Sequence, residues 1–378
     1  MGLYYAGIDE AGYGPLLGPL CVALCVLKVD DWREGDGAPD LWKLLDAIVC
    51  KEPAAAGKRG RFERLAINDS KKLKLSNGLV TKDPLTHLER GVVTLLHCQD
   101  SALAAHCEVA DAERPVATPT GEAGDSWLER GDAGYFERIG VARLEHDWYA
   151  GPALACPRSF SAGQLAIWSN QVRSGLMNGG VRVGPMRCRV LEEREFNAVV
   201  EAERTKAAAT ERALGEHLRL VWNHLAADAA REGDGVRVVC DRQGGRVQYA
   251  GLLARALGAE PGSPAVEIEI VEESPRLSRY EVLAPARPNS GEGVETPARR
   301  MGVLFMPEAE AAHMPVAIAS MTAKLTREML MTRFNRYWNQ RLPELKPTAG
   351  YRNDGWRWLE DLGEAATQDE RRLMIRRA

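Results

Sequence analysis

The 378-residue sequence contains only eight cysteines and no C-x-x-C pair, which excludes a disulfide-stapled scaffold, a zinc ribbon and a dithiol redox motif. Two His-Cys doublets, His97-Cys98 and His106-Cys107, match no common zinc-ligand spacing. The phosphate-binding loop GxxxxGK[ST] is absent. Residues 11–27 carry no charge, but they are interrupted by Pro15 and Pro19 and fall short of the roughly 18–20 apolar residues that span a bilayer. They follow Asp9-Glu10 with no basic segment before them, so they do not read as a secretion signal. The expectation is a cytoplasmic protein without membrane association. An overall basic excess is also missing, since the formal charge is −4.

At 45% hydrophobic and 27% charged residues, the composition is that of a globular chain long enough for two domains, or for one domain with a large insertion. Charge is distributed unevenly. Residues 100–147 hold eleven Asp/Glu against four Arg, a net −7 that leaves the rest of the chain at +3, and residues 321–378 hold twelve Lys/Arg against eight Asp/Glu. The acidic stretch lies within 99–180, a segment rich in Gly and Pro that also contains Trp127, Trp148 and Trp168. Its tryptophans predict an inserted subdomain that packs on the remainder. The boundaries expected are 1–98 and 181–362 for one discontinuous catalytic domain, 99–180 for the insertion and 363–378 for a C-terminal tail.

Apolar runs predict strands at Leu3–Ile8, Leu20–Val29, Arg187–Leu191, Val236–Cys240, Val266–Val271 and Met301–Met306. Helices are predicted over 84–97, over Lys206–Ala227, and from about Ser320, where Met321, Leu325, Met329, Leu330, Phe334 and Tyr337 recur at three- and four-residue spacing. The fold class is therefore α/β. Gly12-Tyr13-Gly14-Pro15-Leu16-Leu17-Gly18 after a strand, with Asp30 downstream, offers a dinucleotide-binding turn and hence an oxidoreductase. That reading needs a helix from about residue 14, where Pro19 and the strand-like Leu20–Val29 oppose it.

The acids suggest other chemistry. Asp9 and Glu10 end one apolar strand and Asp241 ends another. A carboxylate at a buried strand tip is costly alone, and a divalent cation offsets the cost. Converging tips make a hard oxygen site suited to Mg²⁺ or Mn²⁺. Taken singly, each acid equally fits a bland role, such as a turn cap or a solvated side chain.

Taken together, the motifs resemble those of type 2 ribonucleases H (ribonuclease HII). Gly7-Ile8-Asp9-Glu10-Ala11-Gly12-Tyr13-Gly14-Pro15-Leu16-Leu17-Gly18-Pro19 is similar to that family's G-I-D-E-A-G-R-G-P-L-A-G-P. Asp69-Ser70-Lys71-Lys72-Leu73 matches D-S-K-K-L, Ala319–Glu328 is similar to A-S-I-I-A-K-V-T-R-D, and Gly350-Tyr351 stands where the family has K-G-Y. The resemblance covers about half the chain in four segments in the family's order; 99–180, 285–299 and the tail after about 362 have no counterpart.

The resemblance implies a ribonuclease H-like fold, a mixed five-stranded sheet flanked by helices, whose four acids hold two divalent ions. Asp9, Glu10 and Asp241 carry over directly. The family's fourth acid, an Asp ten residues before the Ser of the A-S-I-I-A-K helix, falls on Glu310, with Glu308 and His313 as neighbours that a small shift would select. It further implies substrate contacts from Gly12, Tyr13, Gly14 and Tyr351, and phosphate contacts from Ser70, Lys71, Lys72, Arg246, Lys324 and Arg327. Tyr13 departs from the family's Arg, which bears on recognition of a ribose 2′-hydroxyl. The activity implied is Mg²⁺- or Mn²⁺-dependent endonucleolytic cleavage of the RNA strand of RNA–DNA hybrids, or of ribonucleotides embedded in DNA, in replication or repair. A nuclease for structured nucleic acid and a non-catalytic nucleic-acid-binding module on the same fold are the alternatives.

Overall fold

Strands β1 (Leu3–Ala11) and β2 (Leu20–Val29) pair antiparallel and form the middle of a sheet. Both are apolar at nearly every position because both faces of the sheet are covered. Tyr4, Ala6 and Ile8 enter one core, and Leu3 and Tyr5 enter the other. β3 (Val181–Leu191) pairs antiparallel with β2, and β4 (Gly235–Asp241) pairs parallel with β1. Then come β5 (Glu267–Glu273), β6 (Ser278–Ala284) and β7 (Arg299–Met306), with β7 parallel to β4 and antiparallel to β6. The sheet order is β3-β2-β1-β4-β7-β6-β5. The expected five-stranded mixed sheet corresponds to β3-β2-β1-β4-β7, and the antiparallel β5–β6 pair lengthens it to seven strands at one edge. This computed structural model describes all residues except 54–62, 80, 106–125, 259–265, 289–294 and 378, so the His106-Cys107 doublet lies outside the described residues. Of the other doublet, Cys98 is buried and its Sγ donates to the Ser169 carbonyl at 3.4 Å.

Described helices that bear on the site are α1 (Ser70–Leu73), α2 (Thr86–His97), α3 (Asp132–Arg138), α4 (Ala162–Asn178), α5 (Glu193–Glu203), α6 (Ala207–Leu220), α7 (Ala250–Leu257), α8 (Ala309–Ala312), α9 (Met314–Arg341), α10 (Arg352–Leu362) and α11 (Gln368–Met374). α2, α4 and α9 fill one face of the sheet, and α6 and α7 fill the other. α9 begins six residues before the expected Ser320. Pro315 sits in its first turn, where a missing N–H costs nothing. Met314–Ala319 are buried all round, so no apolar stripe marks them in the sequence. α9 crosses β1 so closely that a Cβ on Gly7 would fall on the backbone of Pro315 and Val316.

Residues 126–178 join the same core. Arg333 of α9 makes a fork with buried Asp132 (2.7 and 2.6 Å) and donates to the Tyr149 carbonyl at 2.7 Å. The Trp148 ring packs 6.2 Å from Phe334 and 6.3 Å from Trp338, and Trp168 lies 5.0 Å from Phe160 with the Arg90 guanidinium 4.0 Å from its ring.

Candidate active site

The parallel register ends at Ile8 opposite Cys240 and so sets the next residues, Asp9 and Asp241, side by side; β1 does not stop at Asp9-Glu10 as expected but runs on to Ala11, paired with β2. β7 runs parallel on the other side of β4, with Met306 opposite Asp241. The chain then turns into α8, whose Ala309 amide donates to Asp241 Oδ1 at 3.2 Å and whose next residue is Glu310. Asp9 is buried and accepts a hydrogen bond from the Glu10 amide at 2.7 Å; the Ser320 hydroxyl of α9 stands beside it and donates to the Ser70 hydroxyl at 3.0 Å. Asp69 caps α1 by accepting from the Lys71 amide at 2.9 Å. Helix α1 presents Lys71 to the field of the acids.

The charges are strongly coupled. Burial pushes Asp9 well above the usual carboxylate range, and Glu10 and Asp241 push it further. Burial and then Asp241 raise Glu10 to about 7, against the pull of Lys71. Burial also raises Asp241 and Glu310. Burial disfavours the Lys71 ammonium, but Asp69, Asp9, Glu310 and Asp241 outweigh it and raise its pKa. Four acids and one lysine therefore share a single electrostatic neighbourhood.

Among the described residues, no three His, Cys, Asp or Glu side chains close on one point as a metal-ligand group. The donor set nonetheless suits a hard divalent cation: four carboxylates at one end of the sheet, including Glu310 Oε2, which is buried without a hydrogen-bond partner. Of the alternatives to Glu310, His313 turns elsewhere, toward Tyr5 and Met306. Glu308 adopts a left-handed backbone conformation (φ 53°) just before α8.

Beside the acids, residues 12–18 link β1 to β2. Gly12 (φ +96°) and Gly18 (φ +87°) adopt a conformation that side chains rarely tolerate. Because β2 follows directly, the helix that a dinucleotide-binding turn requires is absent, and that reading is corrected. Leu16 and Leu17 amides donate to the Gly350 carbonyl at 2.8 and 3.1 Å, tying the loop to the segment before Tyr351. Tyr13 is 42% exposed and Tyr351 50% exposed. Tyr351 has Lys324 5.9 Å and Arg327 5.7 Å from its ring centroid.

No family model matches the chain, and no curated protein does. Several solved structures are similar to it, among them the following three. Ribonuclease HII of Archaeoglobus fulgidus, in its complex with PCNA, is 12% identical over 99% of this chain and 93% of that one, with a TM-score of 0.35. A variant of Bst-RNase HIII is 14% identical over 99% and 65%, with a TM-score of 0.37. Ribonuclease H2 of Pyrococcus horikoshii OT3 is 14% identical over 96% and 86%, with a TM-score of 0.33. Likenesses this distant leave the chemistry to be read from the residues.

The expected phosphate contacts do not form one surface. Lys71 and Lys72 are exposed on α1. Arg246 is ion-paired with Glu211, and Lys324 is buried with its ammonium 2.7 Å from Glu328. Arg327 is 0% exposed and donates from Nη2 to the Leu17 and Ala349 carbonyls at 3.1 Å each. It supports the 12–18 loop from inside, because α9 is buried all round and presents no outer stripe there. Sequence reasoning also missed Ser320 as a neighbour of Asp9, and Arg376. Ser320 could have been found from its place in the A-S-x-x-A-K segment; nothing in the sequence marks Arg376.

Proposed function

We propose that the protein is a Mg²⁺- or Mn²⁺-dependent endonuclease that hydrolyses the RNA strand of RNA–DNA hybrids or ribonucleotides embedded in DNA. What supports this reading is that Asp9, Glu10, Asp241 and Glu310 lie in one electrostatic neighbourhood with Lys71. Two divalent ions, when bound by these carboxylates, would activate a water and stabilise the entering and leaving oxygens of a phosphodiester. The chain's own part is positioning. The Glu10 amide orients Asp9, and the Ala309 amide orients Asp241. Lys71 favours an anionic substrate, and the Gly12–Gly14 backbone with Tyr351 forms a surface that can meet a sugar. A ribose 2′-hydroxyl, the group that distinguishes RNA from DNA, would be sensed there.

The deciding experiment is cleavage of four matched duplexes (all DNA, all RNA, hybrid, and DNA with one ribonucleotide) with and without Mg²⁺ or Mn²⁺. Metal-dependent cuts confined to ribonucleotide-containing duplexes are expected. Equal cutting of all-DNA duplex would favour a nuclease for structured nucleic acid. Binding of the hybrid without any cleavage would favour a non-catalytic module.

A further inference from the structure

The carbonyls of Gly12, Tyr13, Leu17 and Gly18 turn inward from the 12–18 loop onto two buried guanidinium groups. Arg327 holds Leu17. Arg376, from the C-terminal tail and only 3% exposed, holds Gly12, Tyr13, Leu16 and Gly18. Its Nη1 donates to the Gly12 and Gly18 carbonyls, its Nη2 to that of Tyr13 at 3.1 Å, and its own amide to that of Leu16 at 2.9 Å. One side chain reaches three carbonyls because the guanidinium is a planar fork, which a lysine ammonium is not. The tail is seated for this task. Asn197 of α5 donates to the Ile375 carbonyl at 2.9 Å and accepts from the Arg377 amide at 2.7 Å, and the Arg376 guanidinium lies 3.8 Å from the Phe196 ring centroid. On the opposite, outer side of the loop Tyr13 is exposed, and nothing lies within 4 Å of where a Cβ on Gly14 would stand. The loop is thus pinned on its inner side and open on its outer side. Setting two guanidinium groups side by side in the interior is costly, and buried Glu193 opposes it with a favourable charge on Arg376.

We infer that Arg376 is a positioning residue for substrate binding: from the C-terminal tail it holds the Gly12–Gly14 backbone in the conformation that meets the ribose-containing strand. The inference rests on the nuclease reading of this loop. It assigns a role to a segment that has no counterpart in the motifs of the sequence.

The test uses the full chain with Arg376→Met, which keeps an apolar stem against Phe196 and the backbone amide on Leu16 but removes every guanidinium donor. KM for the hybrid is expected to rise about tenfold with a much smaller change in kcat, the pattern of lost substrate binding rather than lost chemistry. Hydrogen exchange of the 12–18 amides should accelerate, while that of β1 and β4 should not. Asn197→Ala, which frees the tail without touching the loop, should move KM in the same direction and carries the test if Arg376→Met fails to fold. Arg377→Gln, which removes only a surface ion pair with Glu201, should leave KM in place. Unchanged KM and unchanged 12–18 exchange in folded Arg376→Met would overturn the inference, as would a fall in kcat at constant KM. If the wild type cleaves none of the duplexes, the nuclease reading fails and the substrate role falls with it; the exchange comparison then shows separately whether the tail holds the loop.

Discussion

Glu193 gives the sharpest test of the buried electrostatics. It is 0% exposed, accepts from the Tyr149 hydroxyl at 2.6 Å, and has an Oε2 without a hydrogen-bond partner. His146 lies 3.8 Å away but gives no countercharge near neutral pH, because burial and then Arg194 lower its pKa to about 4. Burial raises Glu193 from 4.5 to about 7, against the stabilising Tyr149 hydrogen bond. A carboxyl group whose pKa is higher folded than unfolded binds more protons in the folded state, so stability is greatest below 4.5 and falls as pH rises through 7. At about 1.4 kcal/mol per pKa unit, the ionised form costs about 3 kcal/mol at pH 8. Glu193→Gln keeps the shape and removes the charge. Its urea midpoint should exceed that of the wild type at pH 8, by an amount corresponding to about 3 kcal/mol or somewhat less, since the charge also favours Arg376. The two curves should converge near pH 4.5. A variant no more stable than the wild type at pH 8, or a gap that persists unchanged at pH 4.5, would refute this account of the buried carboxylate.

Asp241→Asn should abolish metal-dependent cleavage while leaving hybrid binding largely intact in a filter or anisotropy assay, because a neutral amide is a poor ligand for a hard cation. Glu310→Gln should raise the metal concentration needed for half-maximal cleavage far more than Glu308→Gln does, since Glu310 shares the field of Asp241 and Lys71; the reverse order would move the fourth ligand to Glu308. Gly7→Ala should destabilise the fold by at least about 1–3 kcal/mol in urea unfolding, because the added methyl meets the α9 backbone rather than a side chain that could rotate away. It should also reduce cleavage at saturating metal, since moving α9 from β1 separates Ser320 from Asp9.

Much of the site was legible in the linear chain because its carboxylates stand where apolar strands stop. β1, β2 and β4 are largely apolar, being covered on both faces, and Asp9 near the end of β1 and Asp241 at the end of β4 stand out from them. The second half of α9 was legible through its three- and four-residue spacing. Its first turns were not, because residues buried all round produce no periodicity. β6 was missed because its seven residues mix Ser, Arg and Glu with apolar positions. Arg246 and Lys324 read as free cations because a sequence does not show that Glu211 and Glu328 neutralise them.

The sequence by itself determined which residue types end the strands, which segments are apolar enough to be central, and which short motifs recur in a known family's order. These are local properties, set by side-chain chemistry and by spacings of two and about 3.6 residues. Tertiary structure alone decided which distant groups meet. It brought Asp9 beside Asp241, Ser320 onto Asp9, Asp132 onto Arg333, and Arg376 beneath a loop more than 350 positions earlier. Such contacts depend on how a seven-stranded sheet and its helices pack, and packing depends on the shape of the whole core rather than on any window of sequence.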